Sequence, residues 1–476
     1  MPPIRSLLRT TAAVCLVAVA VGAGAATAGV RGGVNASLIV GPNRNVSRMP
    51  GNQAETAIAI NPTNPNNIVV ASNVQFGQAL FKAYTMDGGA TWTTDLIGDG
   101  DGLGFACCDP SLSFDSFGNV YLVYLDGVKV KNVQLAISTD GGATFTYVTA
   151  VERVDKGGPN PLEHKWGAFV DQPTVVTGPG SVWVTWKEFD KNQRVMARGA
   201  PVSGLGKLGA FGPKERVPGS REGSFGDIVV GPNGQVMVTY QDNIPSEGPS
   251  TIFVNLDPDG LGPAGFGPAI PVTTTNVGGF DFIPPQSHRS VDAESGLAWD
   301  RSGGPHQGRV YLVYTSEEPQ ESNDTDIQVR YSDDQGASWS APVRVNDDAG
   351  TNSQFNPRIS LDQTTGNVAV SWHDSRNDLG AGGPGDTDGI PDDDAQFFAS
   401  ASTDGGASFL PNVQVSEGTS NAGVSNNGVE YGDYTGLSFY GGAFYPSWAD
   451  NSNSTGDNPD GQLTKFDVYT ARITIG

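Results

Sequence analysis

Glu55, Asp109, Asp171 and Glu294 are the side chains best placed to do chemistry, because each stands just ahead of a short apolar run at a comparable point in the chain. Aligned on that run, one column reads Glu55, Asp109, Asp171, Phe225, Glu294, Asn356 and Tyr434, with Asp227, Arg358 and Asp433 beside it. Carboxyls crowded together repel one another's charge, so some keep their protons to unusually high pH. Such a set can do general acid–base work or hold a cation. The same residues can also cap strand ends and bond neighbouring amides, and the sequence leaves both roles open. In the catalytic reading one protonated carboxyl, Asp109 or Glu294, works with a second carboxylate or with Tyr434.

Cys107 and Cys108 are adjacent and directly precede Asp109. In an oxidising compartment they would close a vicinal disulfide; otherwise they are two buried thiols. Asp386, Asp388, Asp392 and Asp394 are spaced as in calcium loops, with hard oxygen ligands and Gly389 to permit the turn. The terminal Glu of such loops is missing, and a solvated acidic loop is the alternative. Asp99 and Asp101 repeat the pattern more weakly. The four histidines (His164, His288, His306 and His373) show no metal-ligand spacing. His164-Lys165-Trp166 and Ser287-His288-Arg289 fall just before expected inner strands, so both could face a ligand. There is no Gly-rich phosphate loop and no serine nucleophile elbow.

The elements that must position these groups are strands. Glycine and proline are abundant (64 and 32), and short alternating runs of Val, Tyr, Phe and Thr recur between turn residues. Four segments are nearly identical: Thr85-Met-Asp-Gly-Gly-Ala-Thr-Trp92, Ser138-Thr-Asp-Gly-Gly-Ala-Thr-Phe145, Ser332-Asp-Asp-Gln-Gly-Ala-Ser-Trp339 and Ser402-Thr-Asp-Gly-Gly-Ala-Ser-Phe409. In each, the Asp can accept turn amides and the glycines can take φ > 0. An outer-strand phrase follows each box, as in Trp339-Ser-Ala-Pro-Val-Arg-Val345. It recurs without a clean box from Phe211 and from Phe266, giving six box positions, of which two are eroded. A second, turn-then-strand phrase occurs seven times, starting at Asn67, Gly118, Gly180, Gly234, Gly308, Gly366 and Gly442. The seventh unit continues to Asp467-Val-Tyr-Thr-Ala-Arg472 and lacks its outer strand, whereas Val40-Gly-Pro-Asn-Arg-Asn-Val46 resembles one. We therefore expect an all-β, single-domain β-propeller over residues 29–476, with four-stranded blades and the N-terminal strand closing the last. Seven blades follow from the seven phrases; six would result if the first or last unit were mispaired.

The four boxes match the Asp-box, and the chain resembles the sialidase superfamily. That resemblance implies the propeller fold and a family that includes sialidases, other glycosidases, polysaccharide lyases and proteins without known activity. Sialidases carry an Arg-Ile-Pro motif on the first inner strand, a three-arginine clamp, an Asp acid and a Tyr nucleophile activated by Glu. Here the first unit reads Glu55-Thr-Ala-Ile-Ala-Ile60, without that motif. Arg289, Arg358 and Arg376 could form a partial anion clamp, and Tyr434 with Glu294 or Glu430 could stand for the nucleophile pair. None lies in a matching motif, so no roles are carried over and exo-sialidase activity is not expected.

Residues 1–28 read as an export signal. Arg5 and Arg9 precede a small apolar run, and Ala26-Thr27-Ala28 fits a signal-peptidase site. The protein is expected outside the cell, and no segment is apolar enough to span a bilayer. With 28 basic residues against 51 acidic ones, the formal charge is −23, which disfavours nucleic acid and anionic lipid as partners. The expected function is that of a carbohydrate-active enzyme, a glycosidase or polysaccharide lyase acting on a glycan through carboxylates at the channel mouth. The alternative is a non-catalytic propeller that binds surface glycans or a protein partner.

Overall fold

Each turn-then-strand phrase forms the second strand of an antiparallel sheet, where neighbours on both sides and both faces demand an unbroken apolar run. Val120–Leu125, for example, is buried at every position. The computed structural model describes residues 36–75, 79–98, 100–126, 132–153, 169–189, 194–224, 226–243, 246–425 and 428–476. The expected export signal, Asp99, Phe225 and His164-Lys165-Trp166 fall outside them. No helix occurs among the described residues, so none is long and apolar enough to cross a membrane.

Seven blades, each built on four antiparallel strands, form a β-propeller; the sixth sheet carries one extra strand and the last two, and a two-stranded ribbon (Asp281–Ile283 with Gln286–Val291) stands apart. The inner strands are Gln53–Ile60, Ser111–Phe114, Phe169–Gly178, Ile228–Val230, Gly296–Trp299, Gln354–Leu361 and Gly436–Tyr440. All start at the same face of the ring, the mouth, and run towards the opposite, lower face. Facing blades share the core: Tyr121, Val123 and Leu125 of the second pack with Val182, Val184 and Trp186 of the third. Trp183, Trp186, Trp299, Trp372 and Trp448 are almost wholly enclosed. Cutting one back to Ala would cost about 3–5 kcal/mol.

The ring closes through its last sheet. Leu38–Val40 pairs with Ile473–Ile475, and Arg44–Asn45 pairs with Asp467–Thr470. The closing strand thus begins at Leu38, and the strand it meets continues beyond Arg472 to Ile475. Asn45 Nδ2 and Ser47 Oγ both donate to the Asp467 carboxylate, at 2.5 and 3.0 Å. Leu38 and Val46 are buried there.

The four repeated segments make one turn, between third and outer strands at the lower face. In each, the Asp Oδ1 accepts the amide four residues on, at 2.8–3.0 Å, and Oδ2 accepts that residue's hydroxyl at 2.5–2.6 Å. These turns brace neighbouring blades: Asn67 Nδ2 donates 2.9 Å to Gly141 O, and Arg309 Nη1 donates 2.7 Å to Gly405 O.

Candidate functional site

A repeated kink builds the mouth. Just before five of the seven inner strands straighten, non-glycine residues take left-handed φ: Glu55 (54°), Asp109 (54°), Gln172 (46°), Glu294 (41°) and Asn356 (51°). Strand register slips there, between Ala54 and Ala57, Asp171 and Thr174, and Phe355 and Arg358. Such residues cost about 1–3 kcal/mol each and persist only where their surroundings hold them. The third column member is therefore Gln172, one residue later than the sequence alignment placed it. Asp171 nonetheless reaches the site from the preceding position.

The site draws on six blades. Glu55 is buried, accepts a short hydrogen bond from Asn73 Nδ2, and lies 3.6 Å from Arg289 Nη2. Burial first, then Asp433 and Asp109, push its pKa up to about 8 despite Arg289. Asp433 holds the same guanidinium through both oxygens, one at 2.7 Å from Nε. Asp109 receives Gln172 N at 3.0 Å, and its own amide donates 2.9 Å to Asn73 Oδ1. Its carboxyl hydrogen-bonds that of Asp171, which requires a proton between them. Burial and Asp171 hold Asp109 well above the ordinary range, whereas burial lifts Asp171 to about 6. Glu294 is raised by burial to about 8, with Arg358 Nη1 3.3 Å away drawing it back down. Gly432 (φ 89°) must lack a side chain here, because a Cβ would sit 2.4 Å from Glu55 Cγ.

The mouth opens onto an axial cavity of about 680 Å³, lined by all seven inner strands. Asp227 accepts Leu297 N at 3.0 Å on its wall. Burial, then Asp109 and Glu55, raise the Tyr434 phenol well above its ordinary range, so it stays protonated. Cys107 and Cys108 form a disulfide directly ahead of Asp109. The flanking backbone is pinned by Cys107 N to Leu125 O and Leu125 N to Cys108 O, both 3.0 Å.

The structure also redistributes several expected residues. Arg376 does not join a clamp with Arg289 and Arg358; it pairs with Asp374 at 2.7 Å and Asp347 at 2.8 Å. Glu430 receives the His288 and Arg289 amides, each at 3.1 Å, and His288 Nδ1 at 2.9 Å. His373 is a core residue: it stacks with Phe355 and meets Phe397 edge-on, and burial lowers its pKa to about 3. Asp292, Asn73 and Gln172 were not marked by the sequence. Proline after three of the kinks (Asp109-Pro110, Gln172-Pro173, Asn356-Pro357) is a signal that could have aligned Gln172.

In the acidic loop, Asp386, Asp388 and Asp394 present oxygens within 4.8 Å of one another, as do Asp378, Asp393 and Asp394. Asp392 turns the other way: it accepts Ser353 N at 2.8 Å and Ser353 Oγ at 3.1 Å. Its left-handed φ of 64° aims it there.

No protein-family model and no curated protein matches this chain in sequence. Among solved structures, a protein of unknown function from Dyadobacter fermentans is similar at 12% identity and a TM-score of 0.46, over 92% of this chain and 99% of that one. An α-L-arabinofuranosidase of Fusarium graminearum, solved with an iminosugar inhibitor, matches at 13% identity and a TM-score of 0.44, over 71% and 92%. An α-L-arabinanase of Penicillium chrysogenum matches at 14% and 0.42, over 71% and 93%.

Proposed function

We propose that the mouth is the active site of a carbohydrate-active enzyme that breaks a glycosidic bond by acid–base chemistry, as a glycosidase or a polysaccharide lyase. One observation carries this reading: Arg289 Nη2 touches both Glu55 and Asp433. Glu55, held protonated to about pH 8, can donate a proton, while Asp433 engages the Arg289 guanidinium through both oxygens beside it. A raised-pKa acid with a second carboxyl close by is the pair that glycosidic-bond cleavage uses. The Asp109–Asp171 pair holds a second proton, and Glu294 beside Arg358 a third. Tyr434 serves as a neutral hydrogen-bond donor, since its surroundings disfavour the phenolate that a sialidase-type nucleophile needs. Arg289 and Arg358 are already engaged by carboxylates, which also speaks against a sialidase-type clamp.

A second reading, glycan binding without catalysis, is favoured by aromatics left open near the mouth. Phe105, Phe280 and Phe282 are 61%, 47% and 48% exposed, and such rings stack on sugar faces. Incubation with neutral and acidic glycans, followed by mass spectrometry of released products, separates the two. A product lost in Glu55→Gln and Asp109→Asn establishes the enzyme; binding without any product establishes the recognition module.

Two companion readings belong with this one. The protein works outside the cell, which the Cys107–Cys108 disulfide supports. Calcium binds the loop through Asp386, Asp388 and Asp394, or deeper through Asp378, Asp393 and Asp394. Calcium should then raise the melting temperature of the wild type and leave that of Asp394→Asn unmoved; equal responses would sink this assignment.

A further inference from the structure

At the lower end of the channel Arg301 follows the fifth inner strand and lines the cavity. Its backbone is fixed by Gln363 of the sixth blade: Arg301 N donates 2.8 Å to Gln363 Oε1, and Gln363 Nε2 donates 2.9 Å to Trp299 O. Its side chain reaches back across two blades. Nη1 donates to Thr177 O at 3.1 Å and to Val230 O at 3.0 Å. Among the described residues no carboxylate pairs with it, in contrast to Arg289, Arg358 and Arg376. Loss of water alone lowers its pKa to about 10, so it remains a cation at neutral pH.

Arg301 is half-buried, and a guanidinium partly removed from water without a carboxylate partner is stabilised by an anion that compensates its charge. The blade carbonyls occupy Nη1 and hold the group still, which leaves Nε and Nη2 as fixed donors. Ser360 and Ser438 also line the cavity and add hydroxyl donors. We propose that the lower end of the channel binds a small monovalent anion, chloride or a similar halide, on the Arg301 guanidinium. One positive charge matches one negative charge, whereas a polyanion would bring uncompensated charge into a low-dielectric space. Guanidinium is weakly hydrated and pairs readily with weakly hydrated anions. Once bound, the ion helps Arg301 tie the third, fourth and fifth blades together.

The test uses the whole chain at fixed ionic strength, with chloride replacing gluconate, a more strongly hydrated anion. A saturable rise in melting temperature of a few °C is expected, by mass action on the folded state. Arg301→Gln should lose that dependence on chloride whatever its own stability. Crystals of the wild type soaked in bromide should show an anomalous peak in contact with the guanidinium, and this arm does not depend on the variant folding. Identical melting in both salts overturns the proposal. So does a bromide peak without a saturable shift, which would mean an adventitious ion only.

Discussion

At the scale of single residues, the mouth works by holding protons where water alone would remove them. Glu55 is enclosed with its nearest carboxyl neighbours, and burial outweighs the pull of Arg289 by enough to lift its pKa to about 8. An essential acid of this kind is active only while protonated. Turnover should therefore fall as pH rises through about 8, and a pH–rate profile will show it. Glu55→Gln should reduce turnover by about 10²–10⁴-fold, the usual worth of a positioned general acid, and should erase that alkaline fall. If the variant keeps the same alkaline limb, the acid lies elsewhere. Residue identity at the mouth was only partly legible in sequence. Glu55, Asp109 and Glu294 were found because each precedes an apolar run that must be an inner strand. The aligned column holds Asp171 where the structure puts the kink at Gln172, because a left-handed residue has no signature when its type is not Gly, Asn or Asp. Asp392 was grouped with the loop carboxylates for a related reason: spacing along a loop does not say which side chains turn inward.

Elements explain why those residues arrive together. In five of the seven blades the inner-strand kink re-aims a side chain at the mouth, as bulges near functional sites commonly do. At the second blade the kink is backed by the Cys107–Cys108 disulfide, whose ring holds the backbone leading into Asp109. The loop it closes is two residues long, so its loop-entropy contribution to global stability is small. Reduction, or the double change Cys107→Ser with Cys108→Ser, should leave the melting temperature within a few °C yet reduce turnover by at least 10-fold. A large loss of stability with normal turnover in the remaining folded protein would show that the disulfide serves the fold instead. Ring closure makes a second element-level prediction. Deleting residues 36–48 removes Leu38, Val46 and both ligands of Asp467, and it exposes the edge of Asp467–Thr470. An uncovered edge pairs with other chains. Light scattering should detect oligomers of the truncated protein at concentrations where the full chain is monodisperse; an unchanged monomer would mean the closing strand is dispensable. These elements were the most legible part of the sequence. Seven copies of the second-strand phrase survive because that strand is buried on every side, whereas two of the six box turns have eroded at the solvent-facing lower rim.

Across the whole molecule, the two faces of the ring respond to pH in opposite directions. On the lower face the box aspartates bond their turns only when ionised, and the Thr91 and Thr85 bonds hold Asp87 down to about 2. A folded pKa below the unfolded one adds stability above the unfolded value of about 4, and that contribution disappears as pH falls through the folded value. At the mouth the sign reverses. Glu55 and Glu294 have folded pKa values of about 8 against model values of 4.5. Between those limits the folded chain binds more protons than the unfolded one, so stability declines as pH rises from about 4.5 to 8. The formal charge of −23 adds self-repulsion over the same range. Thermal stability should therefore peak near pH 4–5 and drop by several °C by pH 8, unlike the near-neutral optimum common among globular proteins. Melting curves across pH 3–9 test this for the wild type. The same series on the double variant Glu55→Gln with Glu294→Gln assigns the cause. Amides cannot titrate, so the alkaline decline should flatten if the mouth drives it. A decline of undiminished slope in that variant would trace it to overall charge instead, and would remove the stability support for protonated carboxyls at the mouth.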